Sequence, residues 1–245
     1  MKIAVAGGTG VVGSYVVEHV RASGHEPVLL TRSVGVDLMT GAALEETLAG
    51  VEAVIDVLSV ETQSAARATG FFETTSRHLL AAGQGVGVRH HVALSIVGID
   101  EVPMGYYRAK VAQERVVGEG RVPWTVLRAT QFHEFAGQVL RRMGAGPVAL
   151  VPAMLCQPVA ADEVAARLVD LALGEPMGRA PDLGVPERRS LVAMARAVVG
   201  ATGQRRLVVP LRIPGVAGRA IREGALCPYD GTRGAVGFED WLRGH

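Results

Sequence analysis

A chain of 245 residues that is 49% hydrophobic has enough apolar mass for one large core, or for a main domain with a small second lobe. A net charge of +1 gives no field of the kind that selects nucleic acid or an anionic membrane, and no apolar run approaches membrane-spanning length. Two distant cysteines, Cys156 and Cys227, match no metal-ligand spacing and point to free thiols in a reducing cytoplasm; the chain opens on a strand, which leaves no room for a signal peptide.

Lys2 to Ala6 is a short apolar run with β-branched residues and predicts a buried strand. Gly7, Gly8, Thr9, Gly10 and Gly13 follow, and Val11 to Val20 predicts a helix. Strand, glycine turn and helix in that order form a phosphate-binding element. Glycine supplies the positive φ or bare backbone that the turn needs. The helix N-terminus offers free N–H groups and a positive dipole end to a pyrophosphate. The spacing is G-x-x-G-x-x-G, at Gly7, Gly10 and Gly13, rather than the G-x-G-x-x-G of many dehydrogenases. Pro27 to Thr31 predicts the second strand. Dinucleotide-binding folds place an acidic residue near here for the ribose 2′-hydroxyl of NAD. Arg32 stands there instead, which suits a 2′-phosphate and so NADP; the alternative is a solvated loop arginine. Asp37, ahead of a short helix predicted at Ala42 to Ala49, either contacts adenine or stabilises the following turn or helix start.

Ala53 to Leu58 predicts the third or fourth strand, depending on whether the Val36 region pairs, and the loop from Ser59 lies at its carboxyl end. A long helix is expected over Phe71 to Ala82, and the next strand over Arg89 to Leu94, leading into Ser95. His90 and His91 are adjacent on that strand and point to opposite faces, so they form no metal pair. A helix from Tyr106 to about Val117, a strand at Trp124 to Arg128 and a helix at Glu134 to Met143 continue the alternation. Such βα repetition implies a parallel sheet with helices on both faces. After about Gly144, short strands at Val148 to Val151 and Leu207 to Val209 alternate with helices at Val164 to Leu173 and Leu191 to Val199, with Asp162 and Ser190 as expected N-caps. Prolines from Pro176 to Pro228 punctuate this part. The expected organisation is a dinucleotide-binding domain over 1–147 and a small mixed α/β lobe over 148–245 that shapes the substrate pocket.

The chain has 23 arginines and two lysines, Lys2 and Lys110. General cationic duty falls to arginine, so an internal lysine suggests chemistry that arginine cannot do: arginine keeps its proton and is a planar fork. Lys110 stands four residues after Tyr106, on the same helical face. A phenol is a weak acid near neutrality, and a nearby ammonium stabilises its phenolate. With Ser95 to hydrogen-bond a substrate oxygen, the three residues could protonate a carbonyl while a nicotinamide delivers hydride. The bland alternative is a packed tyrosine, a solvated lysine and a serine that ends a strand.

The strings AVAGGTGVVG, HHVALSIVGID, GYYRAKVAQE and VPWTVLRATQF, with Y-x-x-x-K at Tyr106 to Lys110, resemble the short-chain dehydrogenase/reductase superfamily. The resemblance is to its atypical NAD(P)H-binding branch, the NmrA-like and isoflavone-reductase-like proteins, and covers residues 1–135. It implies a Rossmann-type doubly wound sheet with Gly7, Thr9, Gly10, Val11, Val12 and Gly13 at the pyrophosphate and Arg32 at the 2′-phosphate. It implies Asp37 and Leu38 near adenine, and Val57, Leu58 and Ser59 along the adenosine ribose. It implies Lys110 on the nicotinamide ribose, and Ala129, Thr130 and Phe132 beside the nicotinamide. The expected activity is NADPH-dependent reduction of a small carbonyl, quinone or enone by a monomer or homodimer without a metal. A cofactor-sensing regulator without turnover, and a non-redox isomerase or cyclase on the same fold, are the rival expectations.

Overall fold

The computed structural model describes residues 1–62, 64–227 and 232–244. In chain order it forms β1 (Lys2–Ala6), α1 (Val11–Ala22), β2 (Glu26–Leu30), α2 (Leu44–Leu48), β3 (Ala53–Asp56), α3 (Ala65–Val86), β4 (His90–Ile96), α4 (Gly105–Glu119) and β5 (Trp124–Ala129). Then come α5 (Phe135–Met143), β6 (Gly144–Ala145), β7 (Val148–Pro152), β8 (Leu155–Cys156), α6 (Ala161–Leu173), β9 (Gly178–Arg179), β10 (Leu183–Gly184) and β11 (Arg189–Ser190). The last elements are α7 (Leu191–Ala201), β12 (Leu207–Leu211), α8 (Gly215–Glu223), β13 (Thr232–Arg233) and α9 (Phe238–Arg243). Two compact units form, and each draws on separate stretches of sequence: Met1–Ser95, Gly105–Arg128 and Asp162–Pro181 in the first; Ile96–Met104, Ala129–Ala161 and Asp182–His245 in the second.

The first unit is built on a sheet of order β2-β1-β3-β4-β5, with β9 also on β5. β1 runs parallel to both β2 and β3, with Val5 level with Leu29 and Ile55, and β3 runs parallel to β4. Ile3 to Ala6 and Ala53 to Asp56 are buried without alternation, as strands covered on both faces must be. On one face Ala4, Ala6, Val54, Ala93 and Val126 meet Leu44 and Leu48 of α2, Leu79 of α3 and Val117 of α4. On the other, Val17 of α1 closes on Val5 and Leu29 around Gly8. This is the Rossmann-type doubly wound arrangement. Because β2 and β3 flank β1 on opposite sides, the topology switches between β1 and β3, and ligands of such sheets bind outside the carboxyl ends there.

In the second unit, Ala129 pairs with Leu183 of β10, which pairs in parallel with β13. β7 carries antiparallel β6 and parallel β12, packed by α5 and α7, and β8 pairs antiparallel with β11. The His133 ring packs at a tilt against Phe238 and Trp241 of α9, which stack on each other. Both cysteines are free and buried, and burial pushes both thiols up in pKa.

Several expectations are corrected. Asp162 is no N-cap: α6 begins at Ala161, so its carboxylate sits in the first turn and accepts from or pairs with His19 Nε2 at 2.7 Å. Ser190 occupies the N-cap position of α7 but makes no side-chain capping bond. The Val36 region contributes only the isolated bridge Asp37 to Ala42, so β3 is the third strand. α3 begins at Ala65, where the Ser64 hydroxyl caps the Arg67 N–H at 3.3 Å. Ser95 lies inside β4 rather than after it. α8 was not read at all, because its glycines and arginines hide a short apolar face. Pro228 lies outside the described residues. No described helix is long and apolar enough to cross a membrane.

Candidate functional site

The glycine turn sits at the β1/β3 switch. Gly7 has φ +89°, and a Cβ there would meet the Val57 carbonyl oxygen at 2.9 Å. Its own carbonyl accepts the Gly10 N–H at 2.9 Å. A Cβ on Gly13 would lie 2.1 Å from the same oxygen, so the first turn of α1 packs directly on the loop. Gly10 differs: a Cβ there would have one neighbour within contact, at 3.3 Å. Gly10 is the N-cap of α1 and brings no side-chain capping bond, there is no acidic residue in the first turn, and Thr9, Gly10 and Val11 are exposed. Val12 is buried in the core. An open, uncapped helix N-terminus reached by bare backbone fits a pyrophosphate.

Arg32 is exposed at the start of a 3-10 turn, Arg32–Val34, directly after β2. Among the described residues its guanidinium has no hydrogen-bond or ion-pair partner. Asp37 is occupied locally: its Oδ1 accepts the Met39 N–H at 2.8 Å and its carbonyl accepts the Gly41 N–H at 2.8 Å. Oδ1 thus braces the turn, and Oδ2 remains as a second acceptor. The Leu38 carbonyl is 2.9 Å from His78 Nδ1, which ties the same turn to α3.

Three further groups gather at the carboxyl ends of β3 and β4. Val57 donates its N–H to Ala6 at 3.0 Å, and Leu58 donates to Asp56 Oδ1 at 3.0 Å. Ser59 follows, exposed, and its Oγ lies 3.2 Å from Tyr106 Oη. Tyr106, in the first turn of α4, is half-buried with its ring edge-on to Phe72 at 5.8 Å. Lys110, one turn later, places Nζ over the same Phe72 ring at 4.7 Å. Nζ donates to the Leu94 carbonyl at 2.7 Å and to Gln113 Oε1, and the residue is only 4% exposed. Burial lowers the Lys110 pKa to about 8, against the raising influence of Asp56 and Glu114. Ser95 is buried, and its hydroxyl has no partner among the described residues.

Sequence reading found Tyr106 and Lys110 but missed what holds them. Gln113 Nε2 donates to Asp56 Oδ2 at 2.9 Å, which links the lysine to a carboxylate with no exposure. The available signals were the lone charge in the apolar strand AVID and the glutamine three residues after Lys110. Glu114 and Arg128 pair at 2.6 Å across α4 and β5. The remaining expected residues, Ala129, Thr130 and Phe132, belong to the second unit. There the Thr130 hydroxyl donates to the Gln157 carbonyl at 2.5 Å, and Phe132 bridges to Val159. Among the described residues no group of three or more His, Cys, Asp or Glu could hold a metal ion.

A sequence model of the NAD(P)H-binding family matches residues 7–172. Among solved structures, the Citrobacter sp. triphenylmethane reductase complexed with NADP(H) is similar at TM-score 0.72 and 15% identity, over 100% of this chain and 99% of that one. A NADPH-dependent quinone oxidoreductase from Escherichia coli is similar at 0.69 and 16%, over 99% and 98%. An NAD-dependent NDP-hexosamine 5,6-dehydratase of tunicamycin biosynthesis is similar at 0.73 and 17%, over 99% and 95%. At these identities the likeness is one of fold. No curated protein sequence matches the chain.

Proposed function

The chain belongs to the NAD(P)H-binding family, in the NmrA-like branch of the short-chain dehydrogenase/reductases, and from that membership we propose that it is an NADPH-dependent oxidoreductase reducing a small carbonyl, quinone or enone. The observation that carries this reading is the meeting of Tyr106 Oη and Ser59 Oγ at 3.2 Å, one helical turn from the Lys110 ammonium, in the unit that holds the glycine turn. A binding module needs the turn alone. A phenol hydrogen-bonded to a hydroxyl, with a lysine one turn along the same helix, serves proton transfer.

When bound, NADPH supplies a hydride. The chain's own residues do the rest. Backbone N–H groups from Val11 to Gly13 would face the pyrophosphate with the positive end of α1, the Gly10 N–H being taken by the Gly7 carbonyl. Arg32 would meet the 2′-phosphate through charge-assisted hydrogen bonds. Lys110 uses two of its three N–H groups internally and keeps one for a ribose hydroxyl. Tyr106 Oη donates its proton to the substrate oxygen, and the ammonium on the same helical face stabilises the phenolate left behind. With Ser59 Oγ donating to Tyr106 Oη, the phenolic proton is left for the substrate oxygen. Ser95 holds an unpartnered hydroxyl as a further donor. In purified protein, NADPH absorbance over a carbonyl and quinone panel tests the reading. Tyr106→Phe should abolish turnover and still bind NADPH. Full turnover in that variant overturns the mechanism, and tight NADPH binding without consumption of the cofactor by the wild type overturns the redox reading in favour of a sensor or a non-redox enzyme.

A further inference from the structure

Lys110 is held by more than its own helix. Its Nζ donates to the Leu94 carbonyl of β4 and to Gln113 Oε1; Gln113 Nε2 donates to Asp56 Oδ2, and Asp56 Oδ1 accepts from the Leu58 backbone. Asp56, Gln113 and Lys110 are 0%, 2% and 4% exposed. The direction of the amide is dictated by chemistry, since an ammonium only donates and a carboxylate only accepts. A neutral side chain with one donor and one acceptor is what this gap between a buried cation and a buried anion requires. An unpaired charge at this depth would cost several kcal/mol, on the order of the stability of a whole domain.

The other charged and titratable groups around Lys110 are already placed. His91 Nε2 on β4 is 4.0 Å from Asp56 Oδ2, but burial lowers its pKa, so the ring is neutral and leaves the carboxylate to Gln113. Glu114 on α4 is engaged by Arg128. From α3 the Phe72 ring lies under Nζ, and Glu73 is engaged by Arg77 and Arg115. Building on the reading of Lys110 as a ribose ligand, we propose that Asp56 and Gln113 are its positioning residues: through the Gln113 amide, the Asp56 carboxylate orients the ammonium and balances its charge, so that one N–H is left for the cofactor.

The chain offers a direct test, because Lys110 and the exposed Lys2 are its only lysines. An isotope label at the lysine ε-carbon therefore gives two NMR signals, with Lys2 as internal control. In the wild type, without cofactor, the Lys110 signal should titrate near pH 8. In Asp56→Asn and in Gln113→Met, which keeps the side-chain length and both charges, the midpoint should fall by about one pH unit. NADPH affinity, read from its fluorescence, should fall about twofold near pH 7 in both variants and approach a tenfold loss above about pH 9. Should Asp56→Asn fail to fold, Gln113→Met carries the test. An unchanged Lys110 midpoint in folded Gln113→Met overturns the inference, as does a shifted midpoint with unchanged NADPH affinity. Lys110→Met separates the two levels. If it weakens NADPH while Gln113→Met and Asp56→Asn leave affinity unchanged, the positioning pair alone is refuted. If Lys110→Met binds NADPH as tightly as the wild type, the reading of Lys110 fails and the inference falls with it.

Discussion

Arg32 shows how far one side chain can carry a specificity. It leaves β2 at the position where an acidic residue would serve a ribose 2′-hydroxyl, it is exposed, and no described group competes for its guanidinium. A partnered arginine would have to give up an ion pair before meeting a phosphate; this one does not. Arg32→Ala should therefore weaken NADPH about tenfold or more, the worth of a charge-assisted hydrogen bond, and leave NADH affinity nearly unchanged. Fluorescence titration with both nucleotides checks this, and equal losses would refute the assignment. Asp37, in the same loop, differs: its Oδ1 accepts the Met39 N–H and braces the turn, and Oδ2 remains as an acceptor for the adenine role that the sequence also allowed. At this scale the legible residues were those whose type is rare for its position: an arginine where an acid is usual, a lysine in an arginine-rich chain. Asp56 and Gln113 leave only a faint trace, a lone charge in an apolar strand and a glutamine one turn past Lys110, because their role exists only in the contact between β3 and α4.

The turn between β1 and α1 separates two kinds of glycine that its spacing makes look alike. Gly13 is needed by the fold, since any Cβ would sit 2.1 Å from the Gly7 carbonyl oxygen. A Cβ on Gly10 would meet only that same oxygen, at a tight 3.3 Å that a small shift relieves, so its proposed need is the approach of a ligand to backbone. Gly13→Ala should therefore destabilise the protein, by about 1–3 kcal/mol for an overpacked site, and abolish NADPH binding. Gly10→Ala should leave the melting temperature within a few degrees of wild type and weaken NADPH selectively. Thermal melts with and without NADPH distinguish these outcomes, and a destabilised Gly10→Ala would refute the division. Along the chain, strands buried on both faces are legible as short apolar runs, as β1 and β3 are. α3 extends beyond Phe71 to Ala82 at both ends, because Ala65 to Gly70 and Gly83 to Val86 form helix without the apolar stripe that marks one.

For the whole molecule, the buried charge and imidazole near the site link stability to pH. His91 is 1% exposed, and burial holds its pKa below 6.5. Below pH 6.5 the unfolded chain therefore binds a proton that the native state resists. The contribution is complete above pH 6.5 and is lost as the pH falls below it. Urea unfolding should show stability declining from neutral pH towards pH 5, and His91→Leu should flatten that decline; an identical slope in the variant would refute it. The sequence by itself determined the fold class, the phosphate-binding turn and the Tyr106–Lys110 face, because strand burial, glycine geometry and helical periodicity are local and leave a local signature. The tertiary structure decided that Ser59 is the hydroxyl beside Tyr106, that Lys110 is bound to Asp56 through Gln113, and that the two units interleave in sequence. Each of these depends on which strand lies beside which. Hydrogen bonds between residues 47 or 57 positions apart arise from packing and leave no periodic trace in the chain.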